Sequence, residues 1–485
     1  MILPPPPQAP RDSFALEALA RLPLAESFYT LWGYLATDDA LDALFEQHRG
    51  RCYQDKLRFA ELVAVLADAL TRYHGSGRRA ITHALQRQQL PTQARAVYGK
   101  LARLPLPLAE AFLSGLTARL RPLFPAGLYR TALPDSLAGL AVVVLDGKKI
   151  KKAAKRLLAT RGRPGTLFGG KVLAAYLPAE GLVVALAADP DGEANDIRLV
   201  PRVLPLARAA IAGPRLWVAD RQFGDLDQPG RFTEGGDHFL IRYSKVTSFH
   251  ADPARPARRG SDARGRAYTE AWGWLGAVTQ GARRCYVRRI TLERPGEEAV
   301  VLVTDLLDEA RSPAEDLLAV YLTRWQIEGV FQAITEVFAL QHLIGCTPQA
   351  TVFQASLCLV IYNVLQVLRG YAAAVAPAPT AVEALSAEQI FADLHEELVG
   401  LHRVLEIDEL LGCLPPPAPA EQVRSRLQAL VGRAWSAAWR KAANKKPRPH
   451  RPKGKELGAH TSVHKVLEAT KTTKGEKKKA SGSSG

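Results

Sequence analysis

Two aspartates and one glutamate stand where acid-bearing chemistry is usually placed. Asp146 ends the run GLAVVVLDG (139–147) just before its last Gly, and Asp220 closes RLWVAD (215–220). Both runs are short, apolar and strand-like, which predicts buried strands reaching turns. The carboxyl ends of such strands are where open α/β sheets place ligands and reacting groups. An Asp after a strand is also a common turn former or helix cap, so neither residue carries an argument alone. The third element, YLTRWQIEGVF (321–331), is predicted to be a helix. On it Tyr321, Arg324 or Trp325, and Glu328 are spaced by three or four and share one face. By spacing alone, that pattern favours an ordinary Arg–Glu surface salt bridge.

The elements that must position these residues form an α/β pattern. Residues 1–130 show helical spacing after a proline-rich leader, with FAELVAVLADAL (59–70) apolar on a broad face. This predicts an all-helical N-terminal domain, a candidate for DNA binding. From 131 to 244, VLAAYLP, GLVVALAADP and HFLIRYS join the two aspartate-bearing runs as strands, with a helix from Asp196 to Ala212 between them. That order predicts a mixed sheet. Residues 245–311 read as a separate β-rich insertion holding AWGWLGAV, CYVRRITL and AVVLVTDLL. Residues 312–412 turn helical again, 413–445 hold a last helix, and 446–485 are Lys-, Pro-, Gly- and Ser-rich and predicted to be disordered.

Composition narrows the partner. The chain has 485 residues, 47% hydrophobic and 23% charged, with a formal net charge of +16. Such a charge favours a polyanion, nucleic acid first and an anionic membrane surface second. From Arg440 onward 14 Lys and Arg face 3 Glu, so most of the excess lies in the tail. The five cysteines are scattered and form no CxxC pair, which fits a reducing cytoplasm and neither a disulfide framework nor a zinc site. The N-terminus lacks signal-peptide character. The apolar stretch Ala355 to Leu368 is read as a buried helix, too short and polar to span a bilayer. No phosphate-binding glycine loop appears, which gives no support to an ATP-driven activity.

Taken together, LDG at Asp146, ADRQFGD at Asp220 and YLTRWQIE at Glu328 resemble the three signatures of IS-four-type DDE transposases of bacterial insertion sequences. Order and spacing agree, with 74 residues between the aspartates and 108 from Asp220 to Glu328. The resemblance covers roughly 139–370, and the helical signature is its specific part. It implies an α/β ribonuclease H-like mixed-sheet core, interrupted by a β-rich insertion. It further implies that Asp146, Asp220 and Glu328 are catalytic and hold two Mg²⁺ or Mn²⁺ ions, hard cations that prefer carboxylate oxygen. Tyr321 and Arg324 would hold a phosphate of the DNA end. One departure stands out: where the family has Lys seven residues after the Glu, this chain has Thr335, followed by Glu336.

Lys148 and Lys149 follow the first aspartate and suit backbone phosphate or, equally, a solvated loop. Trp272 and Trp274 alternate on one predicted strand. Relatives that form hairpin ends place an aromatic in the insertion to accept a flipped base, although two tryptophans in a β-rich piece more often belong to a core. The resemblance implies a cut-and-paste transposase that binds its own terminal inverted repeats and joins them to target DNA. It implies a homodimer on paired ends, a cytoplasmic site of action at the nucleoid and no membrane partner. Two rivals remain: a non-catalytic relic that only binds DNA, and a plain metal-dependent nuclease.

Overall fold

In the computed structural model the described residues are 13–125, 128, 133–262, 264–277, 283–294, 296–338, 340, 342–405, 418–441 and 460–482. The chain divides into two units, each built from separated stretches. The first takes Met1–Leu128, Ala333–Gly345 and Phe353–Leu457; the second takes Tyr129–Gln332, Cys346–Val352 and Gly458–Gly485.

The first unit is helical. Its N-terminal part holds α1 (Ser13–Ala20), α2 (Pro23–Leu35), α3 (Asp38–His48), α4 (Phe59–Thr71), α5 (Gly77–Gln86), α6 (Ala94–Leu101) and α7 (Leu106–Leu120). Helix α4 is apolar almost all round, as a helix must be when others surround it, and most of its residues are buried. Phe59 on α4 meets Phe112 on α7 and Phe353 at ring-centroid distances of 6.1 and 5.6 Å, and Phe112 and Phe353 lie 5.1 Å apart. Phe353 lies in a helix far longer than the sequence suggested, Pro348–Ala374. By length and composition this helix could cross a membrane, yet its apolar window is wholly buried within the protein. Its polar residues find partners there: Ser356 donates to the Ala109 carbonyl at 2.6 Å, and Asn363 to Thr117 at 2.9 Å. The helices Ala387–Val404 and Ala420–Ala434 complete this unit.

The second unit is built on one mixed sheet. Its strands are β1 (Ala141–Ile150), β3 (Gly170–Leu177), β4 (Leu182–Asp189), β5 (Arg215–Ala219), β6 (His238–Arg242), β7 (Phe249–Ala251), β9 (Ala267–Leu275), β10 (Cys285–Leu292) and β11 (Val300–Thr304), in the order β4-β3-β1-β5-β6-β11-β10-β9-β7. The short β8 (Arg258–Ser261) pairs with β9. Strands β1, β5 and β6 run parallel, while β3 and β4 are antiparallel additions. Every residue of β3 and nearly every one of β4 is buried, so those strands read as continuous apolar runs rather than alternating ones. Helix α8 (Val200–Ala210) packs against β3 and β4. Sheet and helices are consistent with a ribonuclease H-like transposase core.

Two expectations are corrected here. The β-rich segment is not a separate piece: β11 pairs antiparallel with β6, Val303 opposite Ile241, so its strands extend the core sheet. The open edge of β6 supplies the reason, since an unpaired strand edge demands partners. The tail is not wholly disordered either. Thr461–Ser462 forms a short strand, β12, parallel to β2 (Leu167–Phe168), and the helix Val463–Gly482 follows. The leader (1–12), residues 442–459 and Cys413 lie outside the described residues. Cys52, Cys285, Cys346 and Cys358 are free thiols.

Candidate active site

Strand register places the two aspartates near one another. In the parallel pair β1–β5, Val144 stands opposite Val218. Two residues further on come Asp146, still within β1, and Asp220, just past the end of β5, near enough for the Asp220 charge to raise the Asp146 carboxyl. Strand β5 ends at Ala219, whereas β1 continues to Ile150, so only Asp220 caps a turn, its carboxylate accepting the Gln222 N–H at 2.8 Å.

Gly147 explains itself by close approach. A Cβ there would stand 2.0 Å from Asp196 Oδ1. Asp196 is a buried carboxylate paired with Lys171 at 2.7 Å, and Lys171 also donates to the Ala194 carbonyl at 2.7 Å. Asp196 was not singled out in the sequence; the glycine after Asp146 was its one available signal. Burial pushes its carboxyl up, opposed by Lys171 and reinforced by Asp220.

The Tyr321–Glu328 segment is not one helix. Helix α10 (Ala314–Leu322) ends at Thr323, and α11 begins at Trp325 and runs to Glu336. The Thr323 hydroxyl bonds back to the Val320 carbonyl at 2.7 Å, a local competitor of helix continuation. The junction still keeps Arg324 and Glu328 in reach: Arg324 Nη2 lies 3.2 Å from Glu328 Oε1, and its Nη1 lies 3.9 Å from Asp146 Oδ2. The guanidinium is 9% exposed, against 45% for Glu328. It lies over the Tyr321 and Trp325 rings at 5.9 and 4.9 Å from their centroids. Tyr321 is buried, while Trp325 is 56% exposed.

Charge is crowded at this point. The Asp146 carboxyl is pushed up to about 6, first by burial and then by Asp220 and Glu328, against the pull of Arg324 and the Gly147 N–H. The Arg324 guanidinium is held above its usual value despite its burial, by Tyr321 and by the three carboxylates. Among the described residues, however, no three His, Cys, Asp or Glu side chains stand as a group able to hold a metal ion. Arg324 sits between Asp146 and Glu328, because a guanidinium relieves the repulsion that like charges would otherwise suffer.

The remaining candidates separate. Lys148 shares the face of Asp146 and donates to the Phe331 carbonyl at 3.4 Å, while Lys149, on the opposite face, lies over the Phe168 ring at 5.5 Å. Trp272 is fully buried, its indole N–H donating to the Leu307 carbonyl at 3.0 Å and Arg255 stacked on its ring at 3.9 Å. It is a core side chain, so the base-stacking expectation is corrected. Trp274 packs edge-on against Tyr286 at 4.9 Å. Thr335 is half-buried, about two turns beyond Glu328 on α11.

No curated protein matches the chain. Among solved structures, a piggyBac transposase synaptic complex with hairpin DNA matches at 9% identity with a TM-score of 0.36, over 81% of this chain and 86% of that one. Residues 138–364, which contain Asp146, Asp220 and Glu328, match the family model described as a transposase DDE domain, and that stretch of the chain is a DDE transposase domain.

Proposed function

We propose that the chain is the cut-and-paste transposase of a bacterial insertion sequence, acting on that element's terminal inverted repeats. The carrying observation is the placing of Asp146 and Asp220 two residues beyond the paired Val144 and Val218 of neighbouring parallel strands, with Arg324 lying between Asp146 and Glu328. Although the three acids do not stand as a metal-holding group here, their donor chemistry suits a hard divalent cation: carboxylate oxygens with one neutralising guanidinium, which leaves an excess of negative charge. Asp146, Asp220 and Glu328 would hold Mg²⁺ or Mn²⁺. When bound, the metal supplies activation of a water or 3′-hydroxyl and stabilises the leaving oxygen. Arg324, on Trp325 and Tyr321, is a preformed bidentate donor for a DNA phosphate, with Lys148 on the Asp146 face of the adjoining strand and Lys149 on its other face. Action as a homodimer on paired ends, at the nucleoid in the cytoplasm, rests on the resemblance alone.

The test uses the full chain, DNA carrying the flanking inverted repeats, and Mg²⁺. Asp146→Ala, Asp220→Ala and Glu328→Ala are each expected to abolish strand cleavage while DNA binding survives. Wild-type cutting by any of the three removes that residue from the site. Cleavage without joining of ends to target DNA would make the protein a nuclease; binding without cleavage would make it a relic.

A further inference from the structure

The loop after β1 has an unusual charge balance. Between Asp146 and Glu180 there are nine Lys and Arg and no acid. Lys171 is buried with Asp196, but Lys151, Lys152, Lys155, Arg156, Arg161 and Arg163 are all exposed. So many like charges on one short loop repel one another and call for a polyanion.

A second basic element is brought to the same loop. The Thr461 N–H donates to the Thr166 carbonyl at 3.2 Å, starting the β12–β2 pairing. The Gly192 N–H donates to Ser462 Oγ at 3.2 Å, and Val463 and Val466 are buried. His460 stacks on Phe168 with centroids 5.2 Å apart, on a ring that Lys149 also covers. Lys465 closes the dock, 2.5 Å from Glu193 and 3.6 Å from Asp191. The helix that follows packs against the Leu158–Thr160 turn of the basic loop and runs through Lys471, Lys474, Lys477, Lys478 and Lys479. Beyond Leu467 it holds no apolar residue larger than Ala, so it has no face for a lipid surface.

We propose that the loop 151–163 and the docked arm 460–482 together form a sequence-independent DNA-backbone grip on the catalytic unit, whose strength depends on the arm being docked. The inference rests on the transposase reading and assigns part of its DNA contact. Docking matters because it fixes where the arm's helix begins, beside the basic loop, so that its charge meets phosphate with less ordering lost on binding.

The experiment measures anisotropy of a labelled duplex of random sequence against salt, for four full-length proteins and a deletion of 458–485. The deletion is expected to lower the salt slope by about 3, as loss of three to four phosphate contacts requires. Val463→Asp/Val466→Asp keeps every lysine but undocks the arm, and is expected to weaken binding roughly tenfold. Asp191→Asn/Glu193→Gln makes the protein less acidic, so charge alone would tighten binding, whereas undocking weakens it. Hydrogen exchange supplies the structural control: amides 461–467 are protected in the wild type and exposed in both undocked variants. Binding equal to wild type in the undocked variants, or absence of protection in the wild type, overturns the proposal. Asp146→Ala, the fourth protein, separates the two readings. If it cuts DNA while the undocked variants lose affinity, the catalytic assignment fails and the grip stands.

Discussion

Gly147→Ala tests whether the residue next to Asp146 is fixed by the buried acid beneath it. A methyl at that position would lie 2.0 Å from Oδ1, 2.4 Å from Cγ and 2.7 Å from Oδ2 of Asp196, well inside contact distance. Retreat is blocked, because Asp196 is buried against Lys171, whose ammonium is itself pinned to the Ala194 carbonyl. Overpacking costs about 1–3 kcal/mol, and breaking a buried ion pair by displacing one partner costs about 3–5 kcal/mol. With part of the strain absorbed by β1, a loss of about 3 kcal/mol is expected. In a unit of roughly 240 residues that lowers the melting midpoint by roughly 6–12 °C. Thermal melts of wild type, Gly147→Ala, Asp196→Ala and the double variant form a cycle. Asp196→Ala opens the space, so Gly147→Ala should cost under about 1 kcal/mol in that background, a coupling of about 2 kcal/mol. A Gly147→Ala protein that melts within 2 °C of wild type refutes the close-approach argument.

Trp272→Ala is expected to destabilise by about 3–5 kcal/mol, read as a lower denaturant midpoint, with DNA affinity of the folded protein unchanged. His402 is buried beside the Tyr29 hydroxyl and its pKa is pushed down to about 3 by burial and then by Arg72, Arg87 and His83. Its folded value lies below its unfolded value of 6.5, so its contribution to stability is complete above pH 6.5 and is lost as pH falls toward 3. Stability should drop by up to about 1.4 kcal/mol per pH unit in that window, and His402→Gln should flatten the profile. Thr335→Lys is expected to tighten binding to pre-cut transposon ends several-fold while nonspecific duplex affinity stays the same, since it adds a mobile point charge two turns from Glu328. Unchanged end binding would place that charge elsewhere.

The parts of the fold that were legible in sequence are those whose signal is local. Strands β1 and β5 announce themselves as apolar runs ending near an acid, and α4 as an all-apolar helix. What escaped depends on partners distant in sequence. Nothing in AVVLVT says that β11 will pair with β6 rather than close a separate sheet. Trp272 has the same alternation whether its face meets solvent or Leu307 and Arg255. The arm hides in a lysine- and glycine-rich stretch, and the acids that hold it, Asp191 and Glu193, lie about 270 residues upstream. At the candidate site the spacing of Arg324 and Glu328 already pointed to their ion pair, while the approach of Arg324 to Asp146 and the break at Thr323 depended on tertiary placement and local hydrogen bonding that spacing does not encode.

The helix Pro348–Ala374 sets the timetable of folding. It supplies Phe353, Ser356 and Asn363 to the core of the N-terminal helices. During synthesis at about 5–20 residues per second, α7 is finished roughly 13–50 s before this helix is complete, about 250 residues later. Throughout that interval Phe59 and Phe112 lack their Phe353 partner, while the sheet carrying both aspartates can already assemble up to β11. The nascent chain therefore owns its two aspartates well before it owns Glu328. A holdase that shields apolar helices during translation should raise the yield of this protein more than a chaperone acting on the released chain.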